Sequence, residues 1–87
     1  MLYVVMWKFK PEQRNAAQSR FKETGGLPPE GVEMQGRWHS VEGNRGLCIA
    51  KSDDPVAVAR WAQAWSDLLT FEIIPVMNDE DFVRMLG

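Results

Sequence analysis

The chain has one cysteine, one histidine and one tyrosine, and it has no block of basic residues. The lone Cys48 excludes an internal disulfide framework and fits a reducing compartment. With His39 as the sole histidine, no Cys/His cluster has metal-ligand spacing, so no metal is expected. Ten Lys and Arg stand against twelve Asp and Glu, for a formal net charge of -2. With no basic stripe to neutralise phosphates, nucleic acid is not expected as a partner. No apolar run approaches the roughly 20 residues of a membrane span. The N-terminus enters a strand directly, without the basic start and apolar stretch of a signal peptide. A cytoplasmic protein away from membranes is the expectation. A phosphate-cradling glycine loop, a dinucleotide fingerprint and a nucleophile elbow are all missing, and no cofactor is expected.

What is present speaks to architecture. Residues 1–9, MLYVVMWKF, are apolar on both alternations. Successive side chains of a strand point to opposite faces, so Leu2, Val4 and Met6 share one face while Tyr3, Val5, Trp7 and Phe9 share the other. Such a strand belongs to a sheet covered on both sides. The remaining sequence has helix enough for one cover. The other must be a second copy of the chain or a ligand. A single domain of 87 residues gains from such burial, since it hides only roughly 60–65% of its unfolded surface alone.

After the first strand (2–9), Pro11 opens a helix that runs to about Thr24 and stops at Gly25-Gly26. The loop LPPEG (27–31) cannot be helix or central strand. The second strand, 32–40, alternates: Val32, Met34 and Trp38 on one face, Glu33, Gln35, Arg37 and His39 on the other. EGNRG (42–46) reads as a hairpin turn into a third strand, 46–52. SDDP (52–55) starts a second helix, with Asp54 as cap and Pro55 in the first turn. Val58, Trp61, Ala62, Trp65, Leu68 and Leu69 form its apolar stripe, and this periodicity reads Trp61 and Trp65 as core. A fourth strand, 70–77, carries Pro75 and so belongs at an edge. A short helix from Asn78 to Leu86 ends the chain.

The order β-α-β-β-α-β is the ferredoxin-like split βαβ pattern, an α+β fold with both helices on one face of a four-stranded antiparallel sheet. Strand order 4-1-3-2 places the two most apolar strands in the centre. With Val32, Met34, Trp38, Leu47 and Ile49 under the helices, the open face carries Arg37, His39 and Gln35 beside the small residues Cys48, Ala50 and Ser52. Glu72, Ile74 and Val76 join them. Tyr3, Val5 and Trp7 line the same space if their face is the open one. Apolar walls with a few convergent polar groups make a small-molecule site. Arg37 then anchors an anionic or carbonyl group, or pairs with Glu33, Glu72 or a partner's acid. His39 shares or transfers a proton, or makes a structural hydrogen bond. Glu72 is a further acid–base candidate, with water-exposed edge as the other reading. Trp7 and Trp38 serve as ligand walls or dimer packing. Gln35 and Cys48 complete the candidate lining, though Cys48 also reads as a small core residue.

The segments ETGGLPPEGV (23–32), GRWH (36–39), SDDP (52–55) and WSDLLTFEIIPV (65–76) resemble a family of short bacterial proteins known only as a domain of unknown function. That family is similar in layout to the dimeric α/β-barrel superfamily. The resemblance implies a homodimer in which two sheets meet face to face, and no particular reaction. Cofactor-independent monooxygenases, haem-degrading enzymes and isomerases occur across the superfamily. The haem-ligating histidine there lies on a helical segment, whereas His39 falls on a strand. Two functional readings stand: a dimer that binds an aromatic or anionic small molecule between sheet and partner, or acts on it as a cofactor-independent monooxygenase-like or isomerase-like enzyme, and a non-catalytic dimer whose open face is spent on assembly.

Overall fold

The expected element order is the one found in a computed structural model, which describes residues 1–87. The elements are β1 (Leu2–Phe9), α1 (Arg14–Thr24), β2 (Glu33–His39), β3 (Arg45–Lys51), α2 (Pro55–Gln63), β4 (Leu69–Val76) and α3 (Asp79–Leu86). The four strands form one antiparallel sheet in the order β2-β3-β1-β4. The doubly apolar β1 and its neighbour β3 lie in the centre, and Pro75 sits on the edge strand, where its missing N–H costs no ladder bond. The fold is ferredoxin-like.

Two helices are shorter than the sequence pattern suggests. Pro11 and Glu12 form a turn, closed by the Gln13 amide donating to the Lys10 carbonyl, and α1 starts at Arg14. Beyond Gln63, the amides of Trp65, Ser66 and Leu68 donate three residues back, which tightens the chain into turns. Trp65 and Leu68 therefore lie in a connector, and Leu69 begins β4. The caps of α2 and α3 follow the sequence: Asp54 accepts from the Val56 amide and Asn78 from the Asp81 amide.

The faces of the sheet differ from the expected assignment in β2 and β3. Directly paired residues share a face, so Arg37, Cys48, Val5 and Ile73 form one cross-sheet row, and His39, Gly46, Trp7 and Phe71 form the next. Both rows lie under α1 and α2, where Tyr3, Val5, Cys48, Ala50 and Val58 make one buried cluster. Leu47 and Ile49 point the other way. The cause in β2 is a bulge. Met34 pairs with Ala50 and Gly36 with Ile49, leaving Gln35 as an extra residue. Because side chains alternate with period two, the extra residue flips every later position. Met34 stays under the helices, while Trp38 is turned out and Arg37 and His39 are turned in.

The open face thus carries Leu2, Val4, Met6, Trp38, Leu47, Ile49 and Ile74. Trp38, Leu47 and Ile74 are exposed there. None of the residues of α3 is buried, and Phe82, Val83, Met85 and Leu86 are all exposed. No helix is long and apolar enough to cross a membrane.

Gly46 is required by its place in the inner row. A Cβ there would stand 2.6 Å from the Trp7 ring and 2.8 Å from the backbone oxygen of Trp38. Gly46→Ala should lower stability by about 1–3 kcal/mol, as overpacking does. Gly36→Ala meets only the exposed Trp38 ring, which can swing away, and should cost less than about 1 kcal/mol. Urea unfolding midpoints of the two variants test the difference. A second test concerns α1, which is tied to the connector after α2 by the Arg20 fork on Asp67, at 2.9 and 2.7 Å. The Arg20 hydrogen bond holds the Asp67 carboxyl below its ordinary value. A depressed carboxylate contributes stability above its unfolded range and loses it as pH falls through the folded value. Asp67→Asn should therefore be less stable than wild type at neutral pH, with the gap closing in acid, below the ordinary aspartate range.

Candidate functional site

Protein interiors seldom hold voids larger than a water molecule. Here an apolar cavity of about 320 Å³ lies between the helices and the sheet. Its origin is a mismatch in side-chain size. The inner face of β3 supplies Gly46, Cys48 and Ala50, while α1 buries only Ala17. Neither layer fills the middle. Val5, Trp7, Cys48 and Phe71 form the floor, and Phe21, Trp61 and Trp65 form the opposite wall. Arg37, His39 and Gln18 bring the polar side chains to the lining.

Arg37 is held in place by the end of α1. Its Nη1 donates to the Gly26 carbonyl at 2.8 Å and its Nη2 to the Gly25 carbonyl at 2.9 Å. Both glycines have positive φ, 71° and 57°, which turns their carbonyls toward the guanidinium. A cation at a helix C-terminus is favourable in its own right. The guanidinium also stacks 4.8 Å from the Phe21 ring centre. An arginine has five donors; these two bonds leave three for another acceptor. Arg37 pairs with carbonyls and not with Glu33 or Glu72. His39 makes edge contacts with Trp7 at 6.0 Å and Phe21 at 5.4 Å, and its exposed ring stands on the lining. Cys48 is 1% exposed. Burial pushes its thiol up from the ordinary value, against the opposing pull of Arg37. At neutral pH that thiol is a poor nucleophile.

The fold brings together four of the residues singled out in the sequence: Trp7, Arg37, His39 and Cys48. They line a cavity within the chain, under the helices, and not the open face where the alternation of β2 places them. Tyr3 shares that inner face but is buried deeper, in the cluster with Val32 and Ala50. Trp38 and Glu72 lie on the opposite, open face, and Gln35 is exposed at the bulge. Glu72 is exposed there, and its separation from Arg37 and His39 follows from the bulge. Sequence reasoning missed Gln18, Phe21, Trp61 and Trp65 as lining. The two tryptophans read as core by periodicity, and only the small residues opposite them hint that nothing fills the gap. No group of three or more His, Cys, Asp or Glu side chains comes together to hold a metal ion.

In fold, the chain is similar to an uncharacterized NIPSNAP domain protein from Burkholderia xenovorans. The TM-score is 0.50, with 11% identity over 91% of this chain and 97% of that one. At that identity the likeness concerns the fold alone. No curated protein sequence matches it. A family model of a domain of unknown function, DUF3303, matches residues 1–87, the whole length of the chain. The protein is thus a member of the DUF3303 family.

Proposed function

We propose that this protein binds a small molecule with an aromatic or apolar body in the cavity beneath its helices, and does so as a homodimer. The observation that carries the reading is a half-open apolar cavity of about 320 Å³ with a fixed guanidinium and an imidazole on its lining. An apolar cavity with a few placed polar groups is the general form of a ligand site. Arg37 anchors a carbonyl, enolate or carboxylate with its remaining donors, and His39 supplies a further hydrogen-bond partner. The bonds to Gly25 and Gly26 fix the fork before a ligand arrives, so little side-chain freedom is lost on binding.

Assembly uses the other side of the sheet. Val4, Met6, Leu47, Ile49 and Trp38 form a broad apolar surface that a second copy would cover. The two readings of the sequence, ligand pocket and assembly face, do not compete for the same residues: one takes the inner face and the other the outer.

Native mass spectrometry of the purified protein should give a dimer, with extra mass wherever a ligand is retained. Leu47→Lys should leave a folded monomer at micromolar concentration; a wild type that is itself monomeric there sinks the dimer. For the cavity, 2-acetylnaphthalene, an aromatic ketone, should quench the fluorescence of Trp7, Trp61 and Trp65. Arg37→Gln and His39→Ala should each weaken its binding about three- to tenfold, the worth of one hydrogen bond. If both variants leave affinity and stability unchanged, the assignment of these residues is wrong.

A further inference from the structure

The polar side chains on the cavity lining can all donate a hydrogen bond, and none is an acid. They are Gln18, Arg37 and His39, and no Asp or Glu stands with them. Gln18 and His39 are exposed, whereas Arg37 is half-buried. Arg37 enters none of the ion pairs of the chain. Its two bonds go to carbonyls at the end of α1. A helix end carries only about half a negative charge. Part of the guanidinium charge is therefore unmatched, beside a half-open apolar space where water screens it less than at the surface. That charge is felt on the cavity floor, where it opposes the rise that burial imposes on the Cys48 thiol.

The room for a ligand begins next to this charge. Arg37 is paired directly with Cys48, whose side chain is small, and His39 with Gly46. The Trp7 ring covers Gly46, so the space nearest the guanidinium lies over Cys48. It is one strand spacing, about 4.8 Å, from the backbone of Arg37. Trp7 and Phe71 bound it on the sheet side, and Trp61 and Trp65 on the helix side. Aromatic faces pair best with another flat ring, offset or edge-on.

We infer that the ligand is a flat aromatic monocarboxylate, with its carboxylate on Arg37 and its ring over Cys48 among the tryptophans. This rests on the cavity reading above and adds to it the charge and shape of the molecule. A carboxylate matches the guanidinium in charge and in the geometry of its donors. A phosphate dianion would bring a second negative charge that no fixed cation on the lining meets.

The test measures 2-naphthoate, 2-acetylnaphthalene and decanoate against the whole protein by equilibrium dialysis at neutral pH. The first two share a ring system and differ by one charge. Wild type should hold 2-naphthoate about tenfold more tightly than the ketone, the difference between a charge-assisted and a neutral hydrogen bond. It should also hold 2-naphthoate more tightly than decanoate. Arg37→Gln should abolish the preference for acid over ketone. Because Arg37 also ties down the end of α1, a second variant guards against misfolding. Gln18→Glu, an exposed change between good helix formers, puts an acid on the lining and should cut the preference about threefold. A ketone bound as tightly as the acid by wild type overturns the inference and leaves the cavity as a binding site. A preference that survives both variants places the carboxylate elsewhere and overturns it also. Decanoate bound as tightly as 2-naphthoate overturns the aromatic body. If none of the three binds, the cavity reading falls with it.

Discussion

One extra residue in β2 decides which side chains face the helices. Without the bulge at Gln35, Met34 and Trp38 would share a face and Arg37 would point to the open side. With it, Arg37 is turned beneath α1 and reaches the carbonyls of Gly25 and Gly26. That contact ties the edge of the sheet to the far end of a helix that buries only one residue of its own. The site is built on the same slip, which brings His39 into the row of Gly46, Trp7 and Phe71 and Arg37 into the row of Cys48, Val5 and Ile73.

The cavity follows from how poorly the two layers match. Glycine, cysteine and alanine on β3 give up volume, and the tryptophans of α2 and its connector stand at the side of the space without filling it. A half-open space of this kind leaves its lining side chains short of packing partners, which is destabilising in a domain of this size. The arginines offset part of that loss at the helix ends. Arg37 closes α1 and Arg20 closes the turn after α2, each by donating to carbonyls that would otherwise face the opening. The helices pack on the rest of the fold through Val58 and Ala17 and are tied at their C-terminal ends by these polar contacts.

Much of this was readable in the residues, and the limits have physical causes. Element order and strand order follow from alternation in β1 and β2, the Gly25-Gly26 stop, the SDDP cap and the proline on β4. The first turn of α1 and the end of α2 depart from the sequence pattern because a proline and an apolar stripe are each compatible with a turn as well as a helix. The faces of β3 were not readable, since Leu47 and Ile49 look like core residues and Cys48 and Ala50 look like space left for a ligand. Both impressions are sound locally; which set lies under the helices is decided by pairing. Gly36, a glycine inside a strand, is the one local sign of the bulge. Trp7, Arg37, His39 and Cys48 lie together in the structure, under the helices and not on the open face. Unbroken alternation along β2 would put Glu72 and Gln35 on the face of Arg37 and His39; the bulge separates them, and Trp38 lies on the open side.

The position of Cys48 has a kinetic consequence. It is the one thiol in the chain, and it lies on the floor of the cavity at 1% exposure. A reagent can reach it only when the space above is empty and the surrounding side chains admit an approach. The labelling rate of the intact protein is then a clock for how often that space opens, and an occupant slows the clock without any change in the fold. The protein carries, in a residue too buried to be a good nucleophile, its own gauge of whether the interior is filled.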